Sequence, residues 1–193
     1  AVDAEKSRRA RSRKRHRRER TAGIVFASVL GAILILGVAG AAWIGVRGAL
    51  AYGHVADAQR AASSLGDSLT DPAAAAEIVP ALTADTSAAR SLTSDPVWGA
   101  AEHLPWIGPQ LAATATVIAS VDDVATTAVE PLAQAASSFS LDTLRPAGGA
   151  FDVAAIASLS DVATTATDSL RQASASVNAI DTTELLAPLA APV

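Results

Sequence analysis

The chain has 193 residues, half of them hydrophobic but only 4% aromatic, and its formal net charge is −4. Alanine is the dominant apolar residue, which favours thin, closely packed helices over a thick globule with a deep pocket and argues against an enzyme. The absence of cysteine excludes a disulfide framework and any cysteine-ligated metal site.

The net charge conceals two segments of opposite sign. Residues 1–21 hold ten basic and three acidic side chains, whereas residues 22–193 hold five basic and sixteen acidic ones, so the segments carry +7 and −11. Such asymmetry indicates that the two segments lie in different environments. The ten basic residues are Lys6, Arg8, Arg9, Arg11, Arg13, Lys14, Arg15, Arg17, Arg18 and Arg20.

Residues 22–46 contain no ionisable side chain, so they separate the basic residues 1–21 from the acidic part of the second segment. A helix of this length spans about 37 Å, enough to cross a hydrocarbon core of about 30 Å with some tilt. Because the basic residues precede this run, the positive-inside bias places residues 1–21 in the cytoplasm and the chain from residue 50 onward outside, with Trp43 at the outer interface. A signal peptide cleaved after residues 49–51 is the alternative, but its apolar core would be shorter.

The basic tail allows two interpretations. It could be an RNA-binding arm, or it could fix topology and contact anionic lipid headgroups of the plasma membrane. The adjacent apolar run favours the second interpretation, so no nucleic-acid partner is expected. Small residues at Gly37, Ala41, Gly45 and Ala49 could also let two membrane helices pack closely, which leaves self-association open.

The region beyond the membrane is predicted to be helical nearly throughout, giving an all-α protein. Apolar spacing over 47–69 predicts that the membrane helix continues as a stalk, followed by an alanine-rich helical region over 70–193. Asp71 is a candidate N-cap before Pro72, and Ser94 or Asp95 is one before Pro96. Pro80 is expected to kink or interrupt its helix.

The stretch EHLPWIGPQL, residues 102–111, predicts a corner between helices, because prolines disfavour the helical region for the preceding residue and can open a new helix. Its large aromatic rings could cover helix ends, contact a sugar or lipid, or touch the bilayer. The candidate residues for packing or ligand contact are Trp98, Leu104, Pro105, Trp106, Gly108 and Pro109.

Two long helices should follow, separated by the breaker RPAGG at 145–149. Residues 118–135 match residues 156–173 at twelve of eighteen positions, which indicates an internal duplication. The two helices are expected to form an antiparallel pair within a small helical bundle. Pro131 should bend the first of them near its end.

No constellation that carries chemistry emerges from the sequence. There is no phosphate-binding loop or nucleophile elbow, and His16, His54 and His103 are scattered without a carboxylate at ligand spacing. Asp122 and Asp123 are expected to form a solvated acidic face. The sequence therefore predicts no catalytic residue, cofactor or metal.

The order of basic tail, membrane helix, alanine-rich helices and DPVWGAAEHLPWIGPQL, followed by a helix containing VEPLAQA, resembles the N-terminal part of an uncharacterised actinobacterial envelope family, domain of unknown function 4012. In that family the helical part precedes a large α/β domain whose signature is not found here, so the resemblance implies a fragment or short form. The sequence predicts a membrane-anchored envelope protein whose outer helices act as stalk or interaction module. The alternative is the anchoring, substrate-guiding part of a wall-glycopolymer enzyme whose catalytic domain is missing.

Overall fold

A computed structural model describes residues 2–68, 71–138 and 153–185, with only the backbone described for residues 2–25. Every regular element in these ranges is helical and none is a strand, so the predicted all-α class is confirmed. The predicted breaker at 145–149 lies outside the described residues. The elements are α1 (Val2–Asp67), α2 (Pro72–Thr93), α3 (Pro96–Ala101), α4 (Gly108–Val124), a π-helical segment (Ala125–Val129), α5 (Glu130–Ser138), α6 (Val153–Asn178) and a 3₁₀ turn (Thr182–Glu184).

The chain divides into two compact units, Ala1–Gly45 and Val46–Val193. In the first unit, most described large side chains of the apolar run are exposed, with Phe26 at 68% and Leu36 at 71%. This run belongs to the one helix among the described residues that is long and apolar enough to cross a membrane. The helix is therefore compatible with a membrane anchor.

Aspartates cap two helices of the second unit. The Asp71 carboxylate accepts hydrogen bonds from the Ala73 and Ala74 amides at 3.1 and 3.2 Å, at the start of α2. Asp95, rather than Ser94, caps α3 and accepts from the Val97 amide at 2.8 Å. Both predicted helix starts are confirmed, because each cap satisfies amides that have no partner within the first turn.

Pro80 does not interrupt α2, which continues to Thr93. Its neighbours Val79 and Leu82 are buried, and the Thr83 hydroxyl donates to the Val79 carbonyl at 3.2 Å. Burial of these apolar side chains offsets the hydrogen bond that a proline removes from a helix interior. The prediction of an interruption is therefore wrong, because tertiary packing outweighs the local cost.

Two apolar layers form the core of the second unit, and each takes one residue from α1, one from α2 and one from α4 or the π-helical segment that continues it. Successive members on one helix are seven residues apart, so α1 and α4 run in the same direction through these layers and α2 runs in the opposite direction. Alanine in both layers lets the backbones approach closely. The layers are Ala51, Ala89 and Ile118, and Ala58, Leu82 and Ala125.

Helix α6 packs against α4 and the π-helical segment. Ala166 is buried in this contact region of α6, with 4% of its surface exposed. The hydroxyls of Thr127 and Ser169 form a hydrogen bond of 2.7 Å between the π-helical segment and α6. Small and hydroxylated side chains thus join α6 to the rest of the unit.

Candidate functional site

Arg47 joins the first turn of the second unit to the corner between α2 and α3. Its guanidinium donates to the carbonyls of Leu92 at 3.0 Å and Ser91 at 2.8 Å, and it forms an ion pair with Asp95 at 3.0 Å. The last carbonyls of a helix lack partners within the helix, so a cation at this position satisfies them. Arg47 therefore holds the end of α2 and the start of α3 beside α1.

Trp98 is a packing residue at this corner, with 3% of its surface exposed. Its ring lies beside Gly48 of α1, where an added Cβ would meet the ring at 3.9 Å. Its indole nitrogen donates to the Leu111 carbonyl at 3.4 Å. Trp98 thus occupies the space between α1, α3 and α4 and satisfies its one polar atom there.

Trp106, by contrast, is 88% exposed. It is the one described residue other than glycine with a positive φ, which is 72°. The Ile107 amide donates to the Pro105 carbonyl at 3.0 Å, which makes Trp106 the centre of a γ-turn. Leu104 and Ile107 are also exposed, by 47% and 49%, so three large apolar side chains share one turn.

Gly108 closes this turn at the start of α4. A Cβ at Gly108 would lie 2.1 Å from the Glu102 carbonyl oxygen, and the Gly108 amide donates to the Leu104 carbonyl at 2.9 Å. The Trp106 carbonyl accepts a further hydrogen bond from Gln110 at 2.7 Å. Close backbone approach, available only to glycine, therefore fixes the loop that presents Trp106.

Asp122 lies at the centre of a buried polar network, with 6% of its surface exposed. It accepts hydrogen bonds from the Thr86 hydroxyl at 3.0 Å and the Ser87 hydroxyl at 2.7 Å, and pairs with Arg90 at 3.2 Å. The expectation of a solvated acidic face is wrong for Asp122, although Asp123 is exposed. Asp122 comes four residues after the buried Ile118 and three residues before the buried Ala125. This helical spacing is the sequence signal that could have predicted the burial of Asp122.

Arg90 bridges the two adjacent aspartates, since it also pairs with Asp123. The pKa of Arg90 is raised above its ordinary value, first by the hydrogen bond with Asp123 and then by the one with Asp122. Both carboxylates stabilise the charged guanidinium. The two side chains therefore reach one cation despite pointing in different directions from the helix.

His54, Asp57 and Asp85 bring together three atoms that could hold a metal ion, all within 4.8 Å of one another. His54 Nδ1 lies 2.8 Å from an Asp85 carboxylate oxygen, and Asp57 pairs with Arg60. The sequence prediction of no carboxylate at ligand spacing from a histidine is wrong here. His54 and Asp57 are three residues apart and share a helix face, while Asp85 is supplied by α2.

A polar groove of about 460 Å³ lies along α4, the π-helical segment and α6. Hydroxyl, carboxylate and amide groups dominate its lining. It is a surface suited to hydrogen bonding and offers little apolar area to a drug-like ligand. The lining residues are Ser120, Asp123, Thr127, Thr165, Asp168, Ser169, Gln172, Ala173 and Ser176.

The remaining predicted residues are not brought into one site. Pro105 is exposed and Pro109 is half-buried at the corner, while Gly37, Ala41, Gly45 and Ala49 are exposed. The side chains of the basic residues from Arg8 to Arg20 lie outside the described residues.

Comparisons with family models, with curated proteins and with solved structures gave no match.

Proposed function

We propose that the chain is a single-pass, membrane-anchored cell-envelope protein whose extracytoplasmic helices act as a stalk or interaction module. The observation that carries this proposal is the exposed apolar surface of α1 in the first unit, where Leu34 and Leu36 are 69% and 71% exposed. A soluble helix would bury such side chains, whereas lipid tails solvate them at no comparable cost.

Charge supports the orientation. Residues 1–21 carry +7 and the remainder carries −11, so the positive-inside bias favours a cytoplasmic N-terminus and an extracytoplasmic second unit in the plasma membrane. Anionic headgroups are the proposed partners of the basic tail. The resemblance to the N-terminal part of domain of unknown function 4012 adds the envelope assignment.

A non-catalytic role fits the way the polar groups of the described residues are used. Asp122 and Arg90 satisfy each other and neighbouring hydroxyls, and Asp95 pairs with Arg47. These contacts join neighbouring helices, which supports a structural role for the polar groups that make them. We propose that the unit presents surfaces to other envelope proteins or to a second copy of the chain.

The orientation is tested by cysteine accessibility, since the chain has no cysteine of its own. Ser7→Cys and Gly66→Cys variants, expressed in intact cells, are treated with a membrane-impermeant maleimide. We expect labelling at 66 in intact cells and at 7 only after permeabilisation, with both variants retained in carbonate-washed membranes. Labelling at 7 but not at 66 in intact cells, or release by carbonate, would contradict the proposal.

A further inference from the structure

We infer that the turn formed by Leu104, Trp106 and Ile107 inserts into the outer leaflet of the membrane that the apolar helix spans. This inference rests on the proposed function, because it requires the membrane that the apolar run is proposed to span. Its occupant is therefore the lipid interface itself. Three observations carry it: the level of the turn, its exposure and the backbone conformation at its tip.

The level of the turn follows from the core layers. Ile118 of α4 packs at the level of Ala51 of α1, and the two helices run in the same direction. Gly108 lies ten residues before Ile118, about 15 Å along the axis, while Val46 lies five residues before Ala51, about 7.5 Å. Within the second unit, the start of α4 therefore lies about 7 Å beyond the level of Val46, at the end of the unit where α1 enters it.

The turn that precedes Gly108 lies at this extended end of the unit. Interfacial segments bury their apolar faces about 5–10 Å into the boundary between headgroups and acyl chains, which matches the extension. The contacts of Arg47 with Asp95 and of Trp98 beside Gly48 hold α3 and the turn at this end. The turn is thus held at the end of the second unit that directly follows the apolar run in the chain, where an interfacial ring is expected.

Exposure gives the second argument. Trp106 at 88%, Ile107 at 49% and Leu104 at 47% place three large apolar side chains on one turn. Trp106 is more exposed than any other large apolar side chain that the structure describes. Tryptophan suits a site that is apolar on one side and wet on the other.

Backbone conformation gives the third argument. A φ of 72° costs a bulky residue conformational energy that glycine, asparagine or aspartate would largely avoid. An exposed Trp106 recovers none of that cost by packing within the chain. Transfer of the Trp106 ring into lipid would supply the free energy that offsets this conformational cost.

The test uses the full chain reconstituted in phosphatidylglycerol and phosphatidylcholine vesicles. Single-cysteine variants Ile107→Cys, Leu36→Cys and Gly66→Cys carry an NBD fluorophore, and lipids with a nitroxide on the acyl chain quench it. We expect at least threefold stronger quenching at 36 and 107 than at 66. Gly66 is the matched control, because it lies at the C-terminal end of α1, far from Val46. A side chain at Gly66 meets nothing within 4 Å.

The outcomes separate the two proposals. Quenching at 36 with 107 as weakly quenched as 66 overturns the inserted turn and leaves the anchor intact. Weak quenching at 36 overturns the anchor itself. An emission shift at 107 caused by soluble wall glycan, without quenching by lipid, overturns the lipid contact in favour of a carbohydrate contact.

A second variant isolates the ring. Trp106→Asn in the Ile107→Cys background keeps a residue that tolerates positive φ, so the turn stays folded. We expect quenching at 107 to fall at least twofold, while quenching of Leu36→Cys carrying the same substitution is unchanged. Undiminished quenching at 107 would show that Trp106 does not hold the turn in the membrane.

Discussion

Asp122 occupies an interior position that its sequence neighbours suggested for an apolar residue. The neighbouring Val121 is 49% exposed, whereas Asp122 is 6% exposed. The reason lies on α2, where Thr86, Ser87 and Arg90 supply donors to its carboxylate. A buried carboxylate is tolerated when hydrogen bonds and a cation compensate its lost hydration.

The buried network makes the two adjacent aspartates unequal. We expect Asp122→Ala to lower the free energy of unfolding by about 2–3 kcal/mol, because the buried Thr86 hydroxyl and the exposed Ser87 hydroxyl lose an acceptor and Arg90 loses a partner. The matched Asp123→Ala change should cost under about 1 kcal/mol, since that ion pair faces solvent. Urea unfolding of both variants in detergent measures the difference, and equal losses would contradict the assignment.

Gly108 is a second position at which the surrounding backbone restricts which residue can be accommodated. Gly108→Ala should lower the free energy of unfolding by about 2–3 kcal/mol, because its Cβ would meet the Glu102 carbonyl oxygen at 2.1 Å. Gly99→Ala is the control, since a Cβ there meets nothing within 4 Å, and it should stabilise helix α3 by about 0.5 kcal/mol. Comparable urea midpoints for the two variants would show that the turn tolerates a side chain.

At the scale of elements, the π-helical segment Ala125–Val129 lies just before Pro131, where the sequence predicts a bend. A proline ring clashes with the carbonyl four residues earlier, here that of Thr127. The Glu130 amide bonds instead to the Ala125 carbonyl, which admits one extra residue and shifts the Thr127 carbonyl. The similar sequence of α6 supports this cause, because Ser169 stands at the position that matches Pro131 and α6 is uninterrupted.

Exchanging the residues at these two equivalent positions tests the cause. Pro131→Ser should convert the π-helical segment to α-helix and raise the free energy of unfolding by about 1–3 kcal/mol, with the new amide at 131 protected from hydrogen exchange. The converse change, Ser169→Pro, should break α6 and lower the free energy of unfolding by about 3 kcal/mol. A π-helical exchange pattern that persists in Pro131→Ser would assign the distortion to tertiary packing instead.

At the scale of the whole molecule, a polar layer lies between the two apolar layers of the second unit. Thr86 and Asp122 meet between α2 and α4, and His54 and Asp85 meet between α1 and α2. Helices that packed through alanine layers alone would pack almost equally well if one helix moved by one turn along its neighbour. A polar contact at a core position disfavours such shifts, because they would leave buried groups unpaired.

The direction of α6 relative to α4 gives a prediction at the same scale. The Thr127–Ser169 contact and the predicted antiparallel pairing together place Ser120 beside Ser176, whereas parallel helices would place it beside Val162. We expect the Ser120→Cys and Ser176→Cys double variant to form a disulfide under mild oxidation, and the Ser120→Cys and Val162→Cys control to remain reduced. The reverse result, read by gel shift, would reject antiparallel pairing.

The sequence by itself determined the helical class, the cap at Asp71, the helix start at Pro96 and the apolar run, because capping, hydropathy and proline chemistry act within a few residues. Only the tertiary structure decided which residue of each stripe faces inward. It buried Asp122 and Trp98, exposed Trp106 and joined His54 to Asp85, since each outcome depends on a partner from a distant helix. The periodicity of apolar residues along a helix predicts its buried face to within about one residue. Contacts across the core then decide which of the neighbouring residues is buried.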